Sequence, residues 1–559
     1  MSFLSFAAVV FTSHADGKLY PWLGIDILLL AILLILPVFF IQIEDHISIH
    51  LFVIIFFSIS FRVFIYVFPA SMIGFDPDRY ALWVQGIIET GSIDVISGPF
   101  YSDAPLFDIL PAVFGLLADI AAPSGMMLYP LLIGLLFPLT SYLIVRRIAS
   151  KPTIKIALAA AVVASVGRMS LTLSYQPISQ TLGALLWCGF LLVVFAYIST
   201  HDIRHFVLTT LLFISLTLTH KLPPTLIVAI FIGFFLFNYV NKTPVLYPYF
   251  KRTQKGMGSK TLKPSIVILT LLSLLILYIQ YFNFGGLGQQ MIVRVSLLAG
   301  AESNTALYQS AATYTSAVPV QQQLLDIFLR RGYLFVLPLS GVAWLLVACN
   351  KRRPEHYLLL SIAAVTTLFM IGSLIDPAVG SISRSVFLAE PVLAALLTIG
   401  FLDTPPSLLK KTNVSKHIYT LGFLLLIVVI VAQATSIIVA LPDQPGDSRT
   451  YLTKGETSGI IFSHEYGTDN TSADTYYASE TPIELIQKYE SSRIQSYDPQ
   501  VLFNSNLSRL ENKLVLYRSG IDIYRSSNGD YKILWDPNKR LSQQFDRIFS
   551  NGEVILVSR

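Results

Sequence analysis

Apolar runs that reach bilayer-spanning length with their mildly polar flanks recur along most of this chain, at 25–40, 51–68, 266–278 and 421–440 among others. A span needs roughly 20 apolar residues. Lipid offers no partner to a backbone N–H or C=O, so such runs fold as helices, whereas a closed barrel would alternate apolar and polar residues. Of the 559 residues, 54% are hydrophobic and 13% charged, with a mean hydropathy of +0.63, which leaves too little polar surface for a soluble globule. A bilayer is the main solvent.

Twelve spans fit the pattern, at about 24–43, 48–70, 126–147, 154–168, 178–199, 205–219, 223–241, 264–284, 333–349, 356–375, 385–402 and 417–440. With alternate loops assigned to the cytoplasm, those at 146–155, 201–205, 242–263, 350–356 and 403–417 hold seventeen Lys and Arg against three acids. The opposite set, 71–125, 168–177, 220–222, 285–332 and 376–384, holds seven against ten, as the positive-inside rule requires. That assignment makes 105–122 a helix on the membrane surface, since Asp108, Pro111 and Asp119 spoil it as a span.

The net charge of +5 sits mostly in short loops, so it reads as topology and not as nucleic-acid binding. Cys188 and Cys349 each lie in an apolar run, which makes them buried structural thiols and leaves neither a disulfide framework nor a thiolate metal site. The first apolar stretch, 3–11, has no basic start and no clear cleavage site, so no cleaved signal is expected. The expected organisation is a multi-span membrane domain, 1–440, with a first outer loop at 71–125, followed by a soluble domain, 441–559. In that tail a helical stretch at 482–489 and strand-like runs at 513–516, 521–524, 531–535 and 554–557, with Asn528-Gly529 and Asn551-Gly552 as turn signals, predict a small α/β fold outside the membrane.

The first outer loop opens with Gly74-Phe75-Asp76-Pro77-Asp78-Arg79-Tyr80, and later holds Tyr101-Ser102-Asp103-Ala104-Pro105-Leu106-Phe107. Seven carboxylates share it with one arginine. Carboxylates where a helix leaves the membrane can take a proton from an acceptor hydroxyl or hold a divalent cation; the plain alternative is an Asx-Pro turn capping a surface helix. Cations gather on the same face: His220-Lys221, Arg168, Arg294 and Arg384. Such residues bind lipid phosphate or merely snorkel to water. Arg384, flanked by small residues and closest to membrane depth, is the first choice for phosphate, and Lys221 the second. Tyr80, Trp83 and Tyr101 have the faces to stack on a sugar.

This layout resembles the GT-C class of membrane glycosyltransferases: all-α, many spans, an aspartate motif opening the first outer loop, and an outward C-terminal domain. It is similar in detail to archaeal members, which share Gly-x-Asp with an aromatic or His four residues on, a Tyr-x-x-x-Pro-Leu-Phe stretch, and a tail like Asp546-Arg547-Ile548-Phe549-Ser550-Asn551-Gly552-Glu553-Val554. The resemblance implies a multi-pass protein of the cell membrane that moves a sugar from a polyprenyl (dolichyl) phosphate to a glycan or glycoprotein acceptor on the outer face. It gives Asp76 the role of catalytic base, assisted by Asp78, with Arg384, Lys221, His220, Arg294, Asp103, Tyr101 and Tyr80 around the substrate. Whether these aspartates hold magnesium or manganese, or no metal, stays open. The tail has no Trp-Trp-Asp-Tyr-Gly motif, and Trp535-Asp536-Pro537 is no substitute, so transfer of single sugars is expected over en bloc transfer to asparagine. The rivals are a transporter or flippase for lipid-linked saccharides, which would show repeated halves, broken spans and charges at membrane depth, and a glycan polymerase or ligase working in the loop 285–332. His464-Glu465 lacks a second His at helical spacing and makes no zinc site.

Overall fold

The apolar runs close their backbone hydrogen bonds as helices in the computed structural model, which describes residues 47–74, 76–97, 100–149, 154–240, 264–284, 288, 332–350, 353–375, 382–403, 414–440, 451–466, 471–474, 477–478, 494–497, 510, 514–519, 523–526, 529–532 and 537–558. The helices that matter here are α1 (Ile47–Val67), α2 (Pro77–Thr90), α3 (Leu106–Ala118), α4 (Ala122–Met126), α5 (Leu128–Ile148), α6 (Ile154–Ser165) and α7 (Arg168–Tyr175). They continue with α8 (Ser179–Thr200), α9 (Ile203–Thr217), α10 (Leu222–Val240), α11 (Pro264–Asn283), α12 (Val336–Asn350), α13 (Pro354–Ile375), α14 (Ile382–Thr398) and α15 (Val414–Ala440). Seven described helices are long and apolar enough to cross a membrane, or eight if the bent pair α6–α7 counts as one span. This is a multi-pass membrane protein.

Beyond these, Leu222–Val240 and Val414–Ala440 are helical over 19 and 27 residues and Ile203–Thr217 over 15, at three more of the twelve expected places, and the expected first span, 24–43, lies outside the described residues. The segment expected to lie on the surface is α3, whose 13 residues would extend only about 20 Å and cannot cross. The window Arg384–Asp403, which contains most of α14, is wholly enclosed by the other helices. By contrast α1 turns Ile49, Phe52 and Phe56 outward, as a lipid-facing helix does. Cys188 is buried as expected, but Cys349 is exposed, because it stands near the end of α12 on the side away from its neighbours.

Residues 168–177, expected as a loop, instead fold mostly as α7, whose axis bends 49° from α6. A helix break inside a bundle strands the last carbonyls of one segment and the first N–H groups of the next. Here side chains meet them. Glu390 on α14 accepts hydrogen bonds from the backbone N–H of Met169 and of Ser170, both at 2.8 Å. Arg62 on α1 donates to the Ser165 carbonyl at 3.1 Å, to the Ser58 carbonyl and hydroxyl at 3.0 and 2.7 Å, and to the Ser170 hydroxyl at 2.8 Å. A carboxylate thus faces the positive end of one helix and a guanidinium the negative end of the other. At Gly167, between them, a Cβ would run into the Glu390 carboxylate.

Beyond α15, α16 (Lys454–Tyr466) and α17 (Pro537–Gln544) accompany a five-stranded sheet in the order β2 (Gln495–Tyr497), β1 (Thr471–Asp474), β3 (Leu514–Arg518), β7 (Val554–Ser558), β6 (Asp546–Ser550). The pairs β2–β1 and β1–β3 are parallel and the rest antiparallel, and β4 (Ile523–Ser526) with β5 (Gly529–Lys532) forms a separate hairpin. Between β1 and β3, Arg518 and Asp474 form a buried two-pronged ion pair at 2.8 and 2.9 Å. The runs at 513–516 and 554–557 appear as β3 and β7, whereas β1, β2 and β6 are too short and polar to have been read from pattern. The stretch 482–489 lies outside the described residues.

This domain is tied to the end of α1. The Ala70 N–H donates to the Leu452 carbonyl at 3.3 Å, the Leu452 N–H to the Ser71 hydroxyl at 2.8 Å, and the Tyr451 ring stands edge-on to Phe68 at 5.3 Å. It therefore sits on the rim from which the Gly74–Asp76 motif emerges.

Replacing Glu390 by Leu alone should lower stability by ~3 kcal/mol, since it leaves the buried Arg62 without its counter-charge. The pair Arg62→Met with Glu390→Leu should recover part of that loss. Thermal unfolding in detergent measures both, and a single variant as stable as the parent would contradict the clasp.

Candidate functional site at the rim

The corner at Gly74 depends on a positive φ of 106°, which a residue with a side chain adopts only under strain. The same glycine lies against the Gln176 side chain, about 3.5 Å from where a Cβ would stand, so the corner is seated on the end of α7. Pro77 then opens α2, its fixed φ suiting the first turn. Asp76 is the residue at the helix start, but its side chain makes no capping bond. Its carboxylate is 51% exposed and pairs with Arg79 at 2.9 Å, and the Arg79 guanidinium lies over the Trp83 ring at 5.4 Å. Asp78, two residues on, is only 2% exposed. Of the two aspartates only Asp76 faces water.

Tyr80 is buried, edge-on to Phe107, Trp83 and Tyr101 at 4.9, 5.3 and 5.6 Å. Burial first, then the neighbouring Tyr101 and the Asp76 charge, push its pKa upward. Tyr80 is therefore enclosed among these rings and has no free face for a sugar. Tyr101 is half-buried and Asp103 exposed, so both remain accessible from the loop side.

Gln180, at the start of α8, donates from Nε2 to the Arg384 carbonyl at 3.1 Å. Arg384 in turn acts on the turn between α9 and α10. His220 there is buried and its pKa is lowered to about 3, by desolvation first and then by the charges of Arg384 and Lys221. Its Nδ1 accepts from the Leu222 N–H at 3.1 Å, so the neutral ring carries its proton on Nε2 and is a donor there. The charges of Lys221 and Arg384 thus both bear on His220, and Gln180 ties the backbone of Arg384 to the start of α8. Arg294 lies outside the described residues. Arg168 is seated at the start of α7, its guanidinium 4.6 Å from the centre of the Tyr333 ring and its N–H on Gln433 at 3.0 Å.

Asp108, noted from the sequence only as a reason why 105–122 cannot span, proves to be part of this rim. It is 1% exposed, on the first turn of α3, and burial raises its pKa to about 8, so its carboxyl is largely protonated at neutral pH. The Leu106 N–H binds the Leu218 carbonyl at 3.4 Å, which holds that turn against the α9–α10 connection. A signal was present: Asp108, Pro111, Ala112 and Gly115 share the buried face, at helical spacing. Among the described residues no group of three His, Cys, Asp or Glu side chains could hold a metal ion. With Asp76 paired to Arg79 and Asp78 enclosed, the described side chains do not fit a magnesium or manganese site.

No family model matches the chain, and neither does any curated protein. Among solved structures it is similar to the archaeal oligosaccharyltransferase AglB from Archaeoglobus fulgidus in complex with an inhibitory peptide and a dolichol-phosphate, at 12% identity and a TM-score of 0.47 over 85% of this chain and 70% of that one. It is also similar to ArnT from Cupriavidus metallidurans bound to undecaprenyl phosphate, at 11% identity and a TM-score of 0.42 over 91% and 97%. A third is the arabinofuranosyltransferase AftD from Mycobacteria, at 12% identity and 0.43 over 91% and 39%.

Folding favours the protonated form of Asp108, because its folded pKa lies above the unfolded value of about 4. That contribution is complete below pH ~4 and is lost as pH rises through 8. Asp108→Asn, neutral throughout, should therefore gain in melting temperature over the parent as pH rises from about 4 to about 8, then hold level. A difference that does not vary with pH would refute the buried carboxyl.

Proposed function

We propose that this protein is a membrane glycosyltransferase that moves a single sugar from a polyprenyl (dolichyl) phosphate to a hydroxyl acceptor, a glycan or glycoprotein, at the outer face. The observation that carries the reading is the pairing of an exposed carboxylate at the start of α2 with two cations whose charges bear on the α9–α10 turn. Such a rim suits a reaction that removes a proton at one end of the transferred group and builds negative charge at the other.

The lipid tail lies between helices, and its phosphate rests on Arg384 and Lys221. Asp76, released from Arg79, takes the proton of the acceptor hydroxyl as the oxygen attacks the anomeric carbon opposite the phosphate, which inverts that carbon. As the C–O bond to phosphate breaks, Arg384 and Lys221 offset the growing charge, and neutral His220 adds a hydrogen bond from Nε2. Asp103 and Tyr101 are placed to meet the acceptor, and Tyr80 fixes the loop. No step requires a metal or a nucleotide.

One observation favours a second reading. The break between α6 and α7, with Arg62 and Glu390 inside the bundle, is a feature of transporters, so a flippase for lipid-linked saccharides remains the rival. Glu390 and Arg62 both bond backbone groups at the break itself, which suits a joint between two helices.

Asp76→Asn should lower sugar transfer to a hydroxyl acceptor at least ~100-fold in reconstituted vesicles, with folded protein unchanged. Arg384→Ala should raise the KM for the lipid donor more than Lys221→Ala. Full transfer by the Asp76 variant, or lipid movement across vesicles without transfer by the parent, would decide for the rival.

A further inference from the structure

Among the described residues, three buried acceptor atoms on three helices that pack toward the turn carrying His220 and Lys221 have no hydrogen-bond donor. Gln280 on α11 is fully buried and spends its amide N–H on the Thr217 carbonyl at 2.8 Å and the His220 carbonyl at 3.5 Å, which fixes the amide's orientation and leaves Oε1 without a partner. Gln180 on α8, also fully buried, is fixed in the same way by its bond to the Arg384 carbonyl, and its Oε1 is likewise unmet. Asp108 on α3, whose first turn is tied to Leu218, leaves Oδ1 unmet. Buried polar atoms are nearly always paired, and each left unpaired costs free energy. Three such atoms on elements tied to the α9–α10 turn or to Arg384, whose charge bears on that turn, suit a ligand that brings donors and negative charge together.

A glycosyl phosphate has that chemistry, with its hydroxyls as donors and its phosphate as the anion. We infer that Gln180, Gln280 and Asp108 form the sugar subsite of the donor, accepting hydrogen bonds from ring hydroxyls while the phosphate lies on Lys221 and Arg384. This rests on the glycosyltransferase reading and sharpens it: the donor is recognised through its sugar as well as its phosphate. Selection among sugars then follows from which hydroxyls reach the three acceptors, since a site that leaves its buried acceptors unmet rejects the analogue lacking the matching hydroxyl.

The test measures binding of three probes to the full-length protein in detergent: dolichyl phosphate, dolichyl phosphate carrying a hexose (mannose, glucose or galactose), and the soluble hexose 1-phosphate. The parent should bind the best hexose-bearing lipid more tightly than bare dolichyl phosphate. Gln280→Met and Asp108→Leu should each weaken the hexose-bearing lipid roughly tenfold and leave bare dolichyl phosphate unchanged, which also shows that the variants are folded. Variants that bind both lipids as the parent does would mean the acceptors are met by water, and equal losses on both lipids would mean a structural role; either overturns the inference while the transferase reading stands. A parent that binds neither lipid, or binds the soluble hexose 1-phosphate as tightly, overturns the transferase reading itself.

Discussion

The arrangement at the rim depends on how a broken helix is kept intact inside the bundle. At the α6–α7 break the chain must change direction by 49° where water is scarce, and the stranded backbone groups are taken up by Glu390 and Arg62. Because α14, which carries Glu390, is the most enclosed of the described spans, the break is held against the buried centre of the domain. The direction of α7 then fixes where Gln176 meets Gly74 and where Ser179 and Gln180 begin α8. A joint some way below the rim thereby sets the position of the residues above it.

Electrostatics at the rim follow from unequal burial. Asp76 keeps water and its charge, while Asp108, a short helix away, is forced toward its neutral form by lack of solvent. His220 is held neutral as well, since burial and two adjoining cations all oppose its protonation. Negative charge is thus available on the α2 side and positive charge on the Lys221–Arg384 side, with neutral hydrogen-bonding groups between. The sheet domain, anchored through Tyr451 and Leu452 to the chain just before Gly74, stands over the same rim.

Legibility differed sharply between residues. Asp76 and its turn could be read because Gly-x-Asp-Pro is a local pattern, and Lys221 and Arg384 because cations at the ends of apolar runs stand out. Tyr80 was read as a sugar-facing ring, yet it packs among Trp83 on its own helix and Tyr101 and Phe107, and the last two contacts exist only because the later part of the loop returns onto α2. Gln180 and Gln280 gave no signal at all. An amide in an apolar helix looks the same whether it caps a carbonyl or faces a ligand, and the difference lies in partners 204 and 63 residues away.

The sequence by itself determined that the chain lives in a bilayer as helices, because the requirement that apolar runs satisfy their own backbone is local and length alone tests it. It also separated an acidic loop from basic ones, since charge bias is a property of each loop separately. Only the tertiary structure decided that residues 168–175 continue as a bent helix, that Asp76 is open while Asp78 and Asp108 are closed, and that the charges of Lys221 and Arg384 both bear on His220. Burial and electrostatic coupling depend on which distant elements pack together, and one strand of residues carries no record of that until it folds.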